Sequence, residues 1–179
     1  MAESLAFGPE IMKAKIRHVP DFPKPGILFY DITTLLRDPQ GFKAVIDHLV
    51  APHAGAGIDL VVGIESRGFI LGGAVADRLG AGFVPIRKPG KLPAKTIRES
   101  FQLEYGSDSL ELHHDAVTPG QRVLVVDDVL ATGGTARAAA SLVRQLGGNL
   151  HALAFLIELT FLRGRDQLAG QRVESVLQY

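Results

Sequence analysis

Two adjacent carboxylates, followed by a short run of glycine and hydroxyl residues, are the part of this sequence best suited to chemistry. The segment Val123–Thr135 reads VLVVDDVLATGGT, so Asp127 and Asp128 come after an apolar stretch and before two glycines. Glycines let backbone N–H groups converge on an anion, and the N-terminus of a following helix adds partial positive charge. Thr132 and Thr135 can donate hydroxyl hydrogen bonds to the same anion. The segment therefore predicts a phosphate-binding loop.

The two carboxylates would repel a phosphate, so they must serve another part of the ligand. A carboxylate only accepts hydrogen bonds, and the vicinal hydroxyls of a ribose can donate them. No lysine follows the glycines, as a Walker A loop requires, and the G-x-G-x-x-G spacing of a dinucleotide site is absent. The site is therefore interpreted as one for a ribose that carries one phosphate. An ordinary capped strand–turn–helix unit is the alternative.

Short apolar runs alternate with helical patterns along the chain, and these elements must position the site. The apolar runs are Leu60–Ile64, Phe83–Ile86, Val123–Val126 and Ala152–Leu159. Helical patterns lie near Phe69–Leu79 and after Thr135, and Asp38 followed by Pro39 predicts the start of an earlier helix. Such alternation predicts an α/β fold with a parallel sheet covered on both faces. Ligands bind such folds at the carboxyl ends of the strands.

Composition excludes several classes of protein. The chain has 179 residues, 46% of them hydrophobic, which suits one globular domain spanning residues 1–179. Basic and acidic residues number 19 each, so no broad basic field favours nucleic acid. There is no cysteine, which excludes disulfides and zinc-thiolate sites. No apolar run is long enough to cross a bilayer, and no signal peptide is recognised, so a cytoplasmic location is expected.

The acidic pair and the ATGGT run resemble the signature of the type I phosphoribosyltransferases, which use phosphoribosyl pyrophosphate. The resemblance implies that Asp127 and Asp128 bind the ribose hydroxyls. It implies that the 5′-phosphate is bound by Ala131, Thr132, Gly133, Gly134 and Thr135. The implied fold is the parallel-sheet type I fold with an N-terminal hood at about 18–35 and a flexible catalytic loop at about 88–114.

The segment Gly63–Phe69, GIESRGF, resembles the pyrophosphate loop of this family. Arginine offers a bidentate fork to phosphate oxygens, and small neighbours let the backbone approach. The segment Ile86–Pro93 adds a group of cations just after a strand. Pyrophosphate binding is thereby assigned to Glu65, Ser66, Arg67, Arg87, Lys88 and Lys91. The resemblance also implies a cis peptide bond between Glu65 and Ser66, although many members carry Asp at the position of Glu65.

Three stretches are similar to the adenine-specific branch of the family in particular: the hood segment Asp21–Ile32, the cationic segment Ile86–Pro93 and the LEYG segment Leu103–Gly106. The resemblance to this branch covers about Val19 to Tyr179. The hood implies that backbone groups near Leu28 and Tyr30 read the base edge, although many members have Arg at the position of Tyr30. Val129 and Leu159 would flank the base. The LEYG stretch resembles the catalytic loop, in which Glu104 would exchange a proton with N7 of the base.

The expected function is therefore transfer of the phosphoribosyl group to adenine in purine salvage, giving AMP and pyrophosphate. The expected metal is Mg²⁺ held mainly by the substrate, because the pyrophosphate and ribose oxygens of the donor can bind it themselves. None of the histidines has zinc-ligand spacing. A homodimer is expected, because the cationic stretch lies near the family's subunit interface, and neither nucleic acid nor membrane is an expected partner. Two alternatives are a same-fold transferase for another nucleobase and a non-catalytic regulator that senses purines or the donor.

Overall fold

The computed structural model describes residues 7–102 and 107–179. The strands are β1 (Arg17–Pro20), β2 (Leu28–Asp31), β3 (Leu60–Ile64), β4 (Gly82–Ile86), β5 (Thr96–Gln102), β6 (Ser107–His113), β7 (Arg122–Leu130), β8 (Asn149–Glu158) and β9 (Val173–Gln178). The α-helices are α1 (Pro9–Lys15), α2 (Thr33–Leu36), α3 (Pro39–Val50), α4 (Arg67–Leu79) and α5 (Gly134–Gln145). Short 3₁₀ turns lie at Ala51–His53, Thr160–Leu162 and Gly164–Leu168.

A five-stranded sheet of order β4-β3-β7-β8-β9 forms the centre, and every neighbouring pair in it is parallel. Its apolar residues alternate between two cores, since successive strand residues point to opposite faces. Leu124 packs with α3 and α4 on one face, whereas Val125 packs with α5 on the other. The predicted α/β fold with a parallel sheet covered on both faces is confirmed.

The local signals predicted several element boundaries. Asp38 caps α3, because its side chain accepts a hydrogen bond from the backbone N–H of Gln40 at 3.0 Å, and Pro39 occupies the first helical position. Strand β3 has the predicted bounds. Across the described residues, no helix is both long enough and apolar enough to span a bilayer.

Strand β7 differs from its prediction at the end that bears the chemistry. It was expected to end at Val126, but it continues through the acidic pair to Leu130. The reason is that β8 runs beside it over this length and pairs Asp127 with Phe155 and Leu130 with Glu158. The two carboxylates therefore lie within a central strand, where the sheet holds their backbone.

Two antiparallel hairpins stand outside the central sheet. One pairs β1 with β2 and forms the hood, and the other pairs β5 with β6. The second hairpin lies in the segment that was expected to be too polar for the core. That expectation is wrong in part, because Phe101, Leu110 and Leu112 are buried against the face of the sheet that α5 covers. The hairpin is therefore anchored to the body of the protein on both of its strands.

Candidate active site

The acidic pair and the start of α4 form the centre of the candidate site. Asp127 and Asp128 are both buried, and the backbone N–H of Asp128 donates to Asp127 Oδ1 at 2.9 Å. The Arg67 guanidinium forms an ion pair with Asp128. A Cβ at Gly68 would lie 2.8 Å from Asp127 Oδ1, so a side chain there would displace the carboxylate. The structure thus brings the predicted ribose and pyrophosphate residues into contact.

Burial and a neighbouring charge act together on Asp127. The pKa of Asp127 is raised well above its ordinary value, mainly by burial and secondly by the negative charge of Asp128. The Arg67 guanidinium opposes this rise only weakly. Hydroxyl donors placed on this carboxylate would stabilise its charged form. The pair is therefore suited to receive donors from a ligand.

The predicted phosphate loop follows β7 directly and leads into α5. Gly133 has φ +88°, a left-handed conformation that favours glycine, and the backbone of Gly164 lies against it with no room for a side chain. A small hollow of about 80 Å³ lies over the loop, and its lining includes Asp127, Thr132 and Thr135. The N-terminus of α5 faces a loop built from small residues, which is the geometry that binds an anion.

The predicted pyrophosphate loop connects β3 to α4. The peptide bond between Glu65 and Ser66 is cis, which confirms that prediction. Arg67 Cζ lies 5.0 Å from the centre of the Phe29 ring, so the guanidinium contacts the hood as well as Asp128. A cleft of about 330 Å³ opens between Arg67 and the hood, and its lining consists of Val19, Phe22, Phe29, Asp31 and Arg67. The cleft separates the hood from the predicted pyrophosphate loop.

Each of the three predicted pyrophosphate cations after β4 is paired with a carboxylate. Arg87 Nε lies 3.3 Å from Glu65 Oε2, and Lys91 forms an ion pair with the other oxygen of the same carboxylate. The backbone N–H of Lys88 also donates to Glu65 Oε2 at 3.1 Å, while Lys88 Nζ lies 3.0 Å from Asp108. The Glu65 carboxylate is therefore bound by the same groups that were predicted to bind the pyrophosphate anion.

These contacts determine the protonation of Glu65. Burial favours its neutral form, but the bonds from Lys91, from the backbone of Lys88 and from Arg87 outweigh burial and lower its pKa from 4.5 to about 2. Because the pKa is lower in the folded state, Glu65 stabilises the fold fully above about pH 4.5. This stabilisation is lost as the pH falls from 4.5 towards 2.

We expect Glu65→Gln to lower the free energy of unfolding at pH 7 by about 1.5–3 kcal/mol, the size of a charge-assisted hydrogen bond. Urea unfolding of both proteins across pH 2–7 measures this difference. The two curves should converge as the pH approaches 2, because the native carboxylate is then protonated as well. Curves that stay parallel down to that pH would contradict the assigned pairing.

The predicted base-binding residues lie on two separate parts of the fold. Leu28 and Tyr30 are in β2 of the hood, while Val129 is in β7 and Leu159 follows β8. The side chains of Tyr30, Val129 and Leu159 are partly buried against the same core cluster, whereas Leu28 is exposed. Glu104, the predicted catalytic residue, lies outside the described residues.

Two acidic residues of the β5–β6 hairpin contribute to the site and were not predicted from sequence. Asp108 pairs with Lys88, and Glu111 accepts a hydrogen bond from the backbone N–H of Gly90 at 3.0 Å. Glu111 is buried and also binds Arg98 across the hairpin. These carboxylates hold the cationic loop in place. The alternation of polar and apolar residues in β6 could have indicated a strand. Nothing in the local sequence indicates which cations Asp108 and Glu111 bind.

Other features of the described residues lie away from this centre. A larger cavity of about 550 Å³ lies beside β9 and contains none of the predicted site residues. Its one arginine, Arg165, is already engaged by Glu158 through two hydrogen bonds at 2.6 and 2.8 Å, so its charge is neutralised. Among residues 7–102 and 107–179, no three His, Cys, Asp or Glu side chains group closely enough to hold a metal ion.

Comparison with known proteins agrees with this arrangement. Residues 32–169 match the model of the phosphoribosyl transferase domain. An adenine phosphoribosyltransferase of Acidobacterium capsulatum is 61% identical over 170 residues, which cover 95% of this chain and 94% of the relative. The crystal structure of the adenine phosphoribosyltransferase of Rhodothermus marinus has 54% identity and a TM-score of 0.92, with both chains covered completely.

A third similar structure, the Saccharomyces cerevisiae adenine phosphoribosyltransferase, was determined in complex with an imino-altritol bisphosphate and adenine. It has 41% identity and a TM-score of 0.89, and the match covers 99% of this chain and 100% of the yeast chain. The family model alone spans more than half of the chain, and these relatives, which match nearly all of it, are named adenine phosphoribosyltransferases. The chain therefore belongs to the phosphoribosyltransferase family, and within it to the adenine phosphoribosyltransferases.

Proposed function

We propose that this chain transfers the 5-phosphoribosyl group of phosphoribosyl pyrophosphate to adenine, forming AMP and pyrophosphate. The observation that carries the proposal is the contact between Arg67 and Asp128 beside the glycine loop. This contact supports the proposal, because it brings a guanidinium fork next to the acidic pair, and Asp127 of that pair lines the same hollow as the glycine loop. A phosphoribosyl donor carries pyrophosphate, hydroxyls and a 5′-phosphate on one sugar ring.

In the proposed complex, the 5′-phosphate lies on Ala131 to Thr135, and the ribose hydroxyls donate to Asp127 and Asp128. The pyrophosphate lies against the Glu65–Arg67 loop, where Arg87 and Lys91 would exchange Glu65 for phosphate oxygens. Magnesium enters with the donor, held mainly by pyrophosphate and ribose oxygens, as Mg²⁺ usually is where a substrate supplies phosphates. The metal is thus part of the substrate.

In the proposed reaction, N9 of adenine attacks C1′ of the ribose while the bond from C1′ to the pyrophosphate oxygen breaks. The electron pair of that bond leaves with pyrophosphate, and the base loses one proton as the new bond forms. Glu104 accepts this proton at N7 when the 7-H tautomer of adenine reacts. Positive charge develops on the sugar ring in the transition state, and nearby carboxylates favour it.

Base selection follows from the backbone of the hood. Adenine presents a donor at its C6 amine and an acceptor at N1, and a 6-oxopurine presents the reverse. A carbonyl near Leu28 and an N–H near Tyr30 would complement adenine only. Because the main chain makes these contacts, Tyr30→Arg should change base preference little.

The experiment that tests the function is turnover of adenine, hypoxanthine and guanine in competition, with limiting donor and Mg²⁺. We expect AMP as the product, and 6-oxopurines incorporated at least about 100-fold less efficiently, because two buried groups would be left unpaired. Comparable use of a 6-oxopurine would support a same-fold transferase for another base. Binding of purines without any turnover would support a regulator.

We also propose a homodimer and a cytoplasmic location. Ile70 on α4 and Phe83 on the edge strand β4 are 52% and 38% exposed, and exposed apolar side chains of this size suit an interface. Phe83 also lies near the cationic loop, since its ring is 6.1 Å from that of Phe69, which lies under the Arg87 guanidinium. Sedimentation at micromolar concentration should therefore show a species of twice the 19.2 kDa chain mass. A 19.2 kDa species alone would refute the dimer.

A further inference from the structure

Three aromatic side chains join the hood to the body of the fold. The rings of Tyr30 and Tyr179 lie 4.2 Å apart between centroids, and His18 meets the edge of Tyr30 at 5.1 Å. His18 and Tyr30 are opposite each other in the β1–β2 register, whereas Tyr179 follows β9 of the central sheet. The contact with Tyr179 therefore connects an outlying hairpin to the central sheet.

Neighbouring residues of β2 face opposite sides of the hood. Phe29 lines the cleft and lies under the Arg67 guanidinium, while Tyr30 points the other way, towards Tyr179. The tip of the hairpin has little support, since Phe22 and Leu28 are 49% and 43% exposed. A contact on the Tyr30 side therefore influences how closely the Phe29 side approaches the cleft.

The backbone of Tyr179 holds the opposite part of the predicted base site. Its N–H donates to the carbonyl of Glu158 at 3.0 Å, and its carbonyl accepts from the N–H of Thr160 at 2.9 Å and from the Thr160 hydroxyl at 2.6 Å. Leu159 lies between these two residues, so Tyr179 fixes the chain on both sides of it. One residue thus binds the Leu159 segment through its backbone and the hood through its ring.

The Tyr179 hydroxyl does not hold the ring in its position against Tyr30. It is buried, and among the described residues it has no hydrogen-bond partner. An unpaired buried hydroxyl costs free energy, so the contacts of this side chain that stabilise the fold are those of its ring. Besides Tyr30, the ring contacts Lys13, whose Nζ lies 5.3 Å from its centroid.

We propose that Tyr179 is a positioning residue for the base, and that its ring contact with Tyr30 sets the distance between the hood and the Leu159 segment. The inference rests on the proposed transfer to adenine, for which these two parts form the base site. Loss of the contact loosens the hood, which weakens adenine binding. Donor binding is affected far less, because the glycine loop and the acidic pair lie on the body of the fold, and only Arg67 among the proposed donor-binding residues contacts the hood, through Phe29.

A double-mutant cycle with Tyr30→Ala and Tyr179→Ala tests this inference. Each single variant should raise KM for adenine roughly 3- to 10-fold, the range expected from losing an aromatic pair. KM for the donor should stay within about 2-fold of wild type. The double variant should raise KM for adenine no more than either single variant does, because both substitutions remove the same contact. Melting temperatures identify any variant that fails to fold.

Tyr179→Phe is the matched control, because it keeps the ring and removes only the unpaired hydroxyl. It should retain the wild-type KM for adenine. Three results would each overturn the proposal. They are additive effects of the two substitutions on KM for adenine, an equal rise in KM for the donor, and a rise in KM for adenine in Tyr179→Phe as large as in Tyr179→Ala. AMP formation by the wild-type protein tests the proposed function separately from this inference. Calorimetric titration of adenine into the four proteins of the cycle measures the same coupling without turnover.

Discussion

Replacing both Asp127 and Asp128 with Asn should raise KM for the ribose donor by about 10²–10⁴-fold and KM for adenine far less. Each carboxylate is expected to accept a charge-assisted hydrogen bond from a ribose hydroxyl, and such bonds contribute about 1.5–3 kcal/mol each. An amide keeps the size of the side chain but loses the charge and presents a donor towards a donor. Steady-state kinetics with each substrate varied in turn measures the two constants.

Asp47→Asn is a suitable control for this experiment. Asp47 is also a buried carboxylate, paired with Lys43 on α3 and with Arg78 at the end of α4 opposite the site. Its replacement should lower stability without changing the ratio of the two Michaelis constants. If the double Asn variant instead affected donor and adenine equally, the acidic pair would not bind the ribose.

Replacing Glu104 with Leu should lower kcat by about 10²–10⁴-fold, the range typical of a positioned proton-transfer group. Donor binding should remain nearly intact, because the phosphate loop and the acidic pair are unchanged. Glu104→Gln separates proton transfer from shape, since it keeps the size of the side chain and removes the titrating group. Rapid-quench kinetics and calorimetric titration of the donor measure the two effects.

Glu99→Gln provides the matched control, because it makes the same type of substitution five positions earlier in the sequence. Glu99 lies on β5 and accepts a hydrogen bond from Gln145 at 2.7 Å, on the side that packs against α5. Its replacement should leave kcat within a few fold of wild type. Wild-type turnover in Glu104→Leu would show that Glu104 takes no part in the reaction.

The parts of the fold that were predicted from sequence are those with local signals. Asp38 and Pro39 mark the start of α3, and the continuous apolar run Leu60–Ile64 marks β3, because capping and burial act on neighbouring residues. The acidic pair and the glycine loop are adjacent in sequence, so the candidate site was proposed from neighbouring residues as well. These signals require no knowledge of distant residues.

What was missed depends on distant partners. The extension of β7 to Leu130 requires β8 alongside, and β9 with its contact to the hood is visible only once the sheet has formed. Likewise, the run of cations after β4 indicated phosphate binding, but its pairing with Glu65 joins residues more than twenty positions apart. Sequence spacing predicts which residues are available, and packing determines which of them pair.

The carboxylate of Glu65 has a consequence for product release. If pyrophosphate binds Arg87 and Lys91 as proposed, these cations do not return to bare solvent when it departs, because Glu65 is within reach of both. The release step thus becomes the exchange of one anion for another, and the cations are neutralised before and after it. An anion held by cations with no alternative partner dissociates slowly, since its departure leaves their charges uncompensated. In the proposed reaction, Glu65 therefore favours rapid release of pyrophosphate, because it neutralises the cations of the empty site.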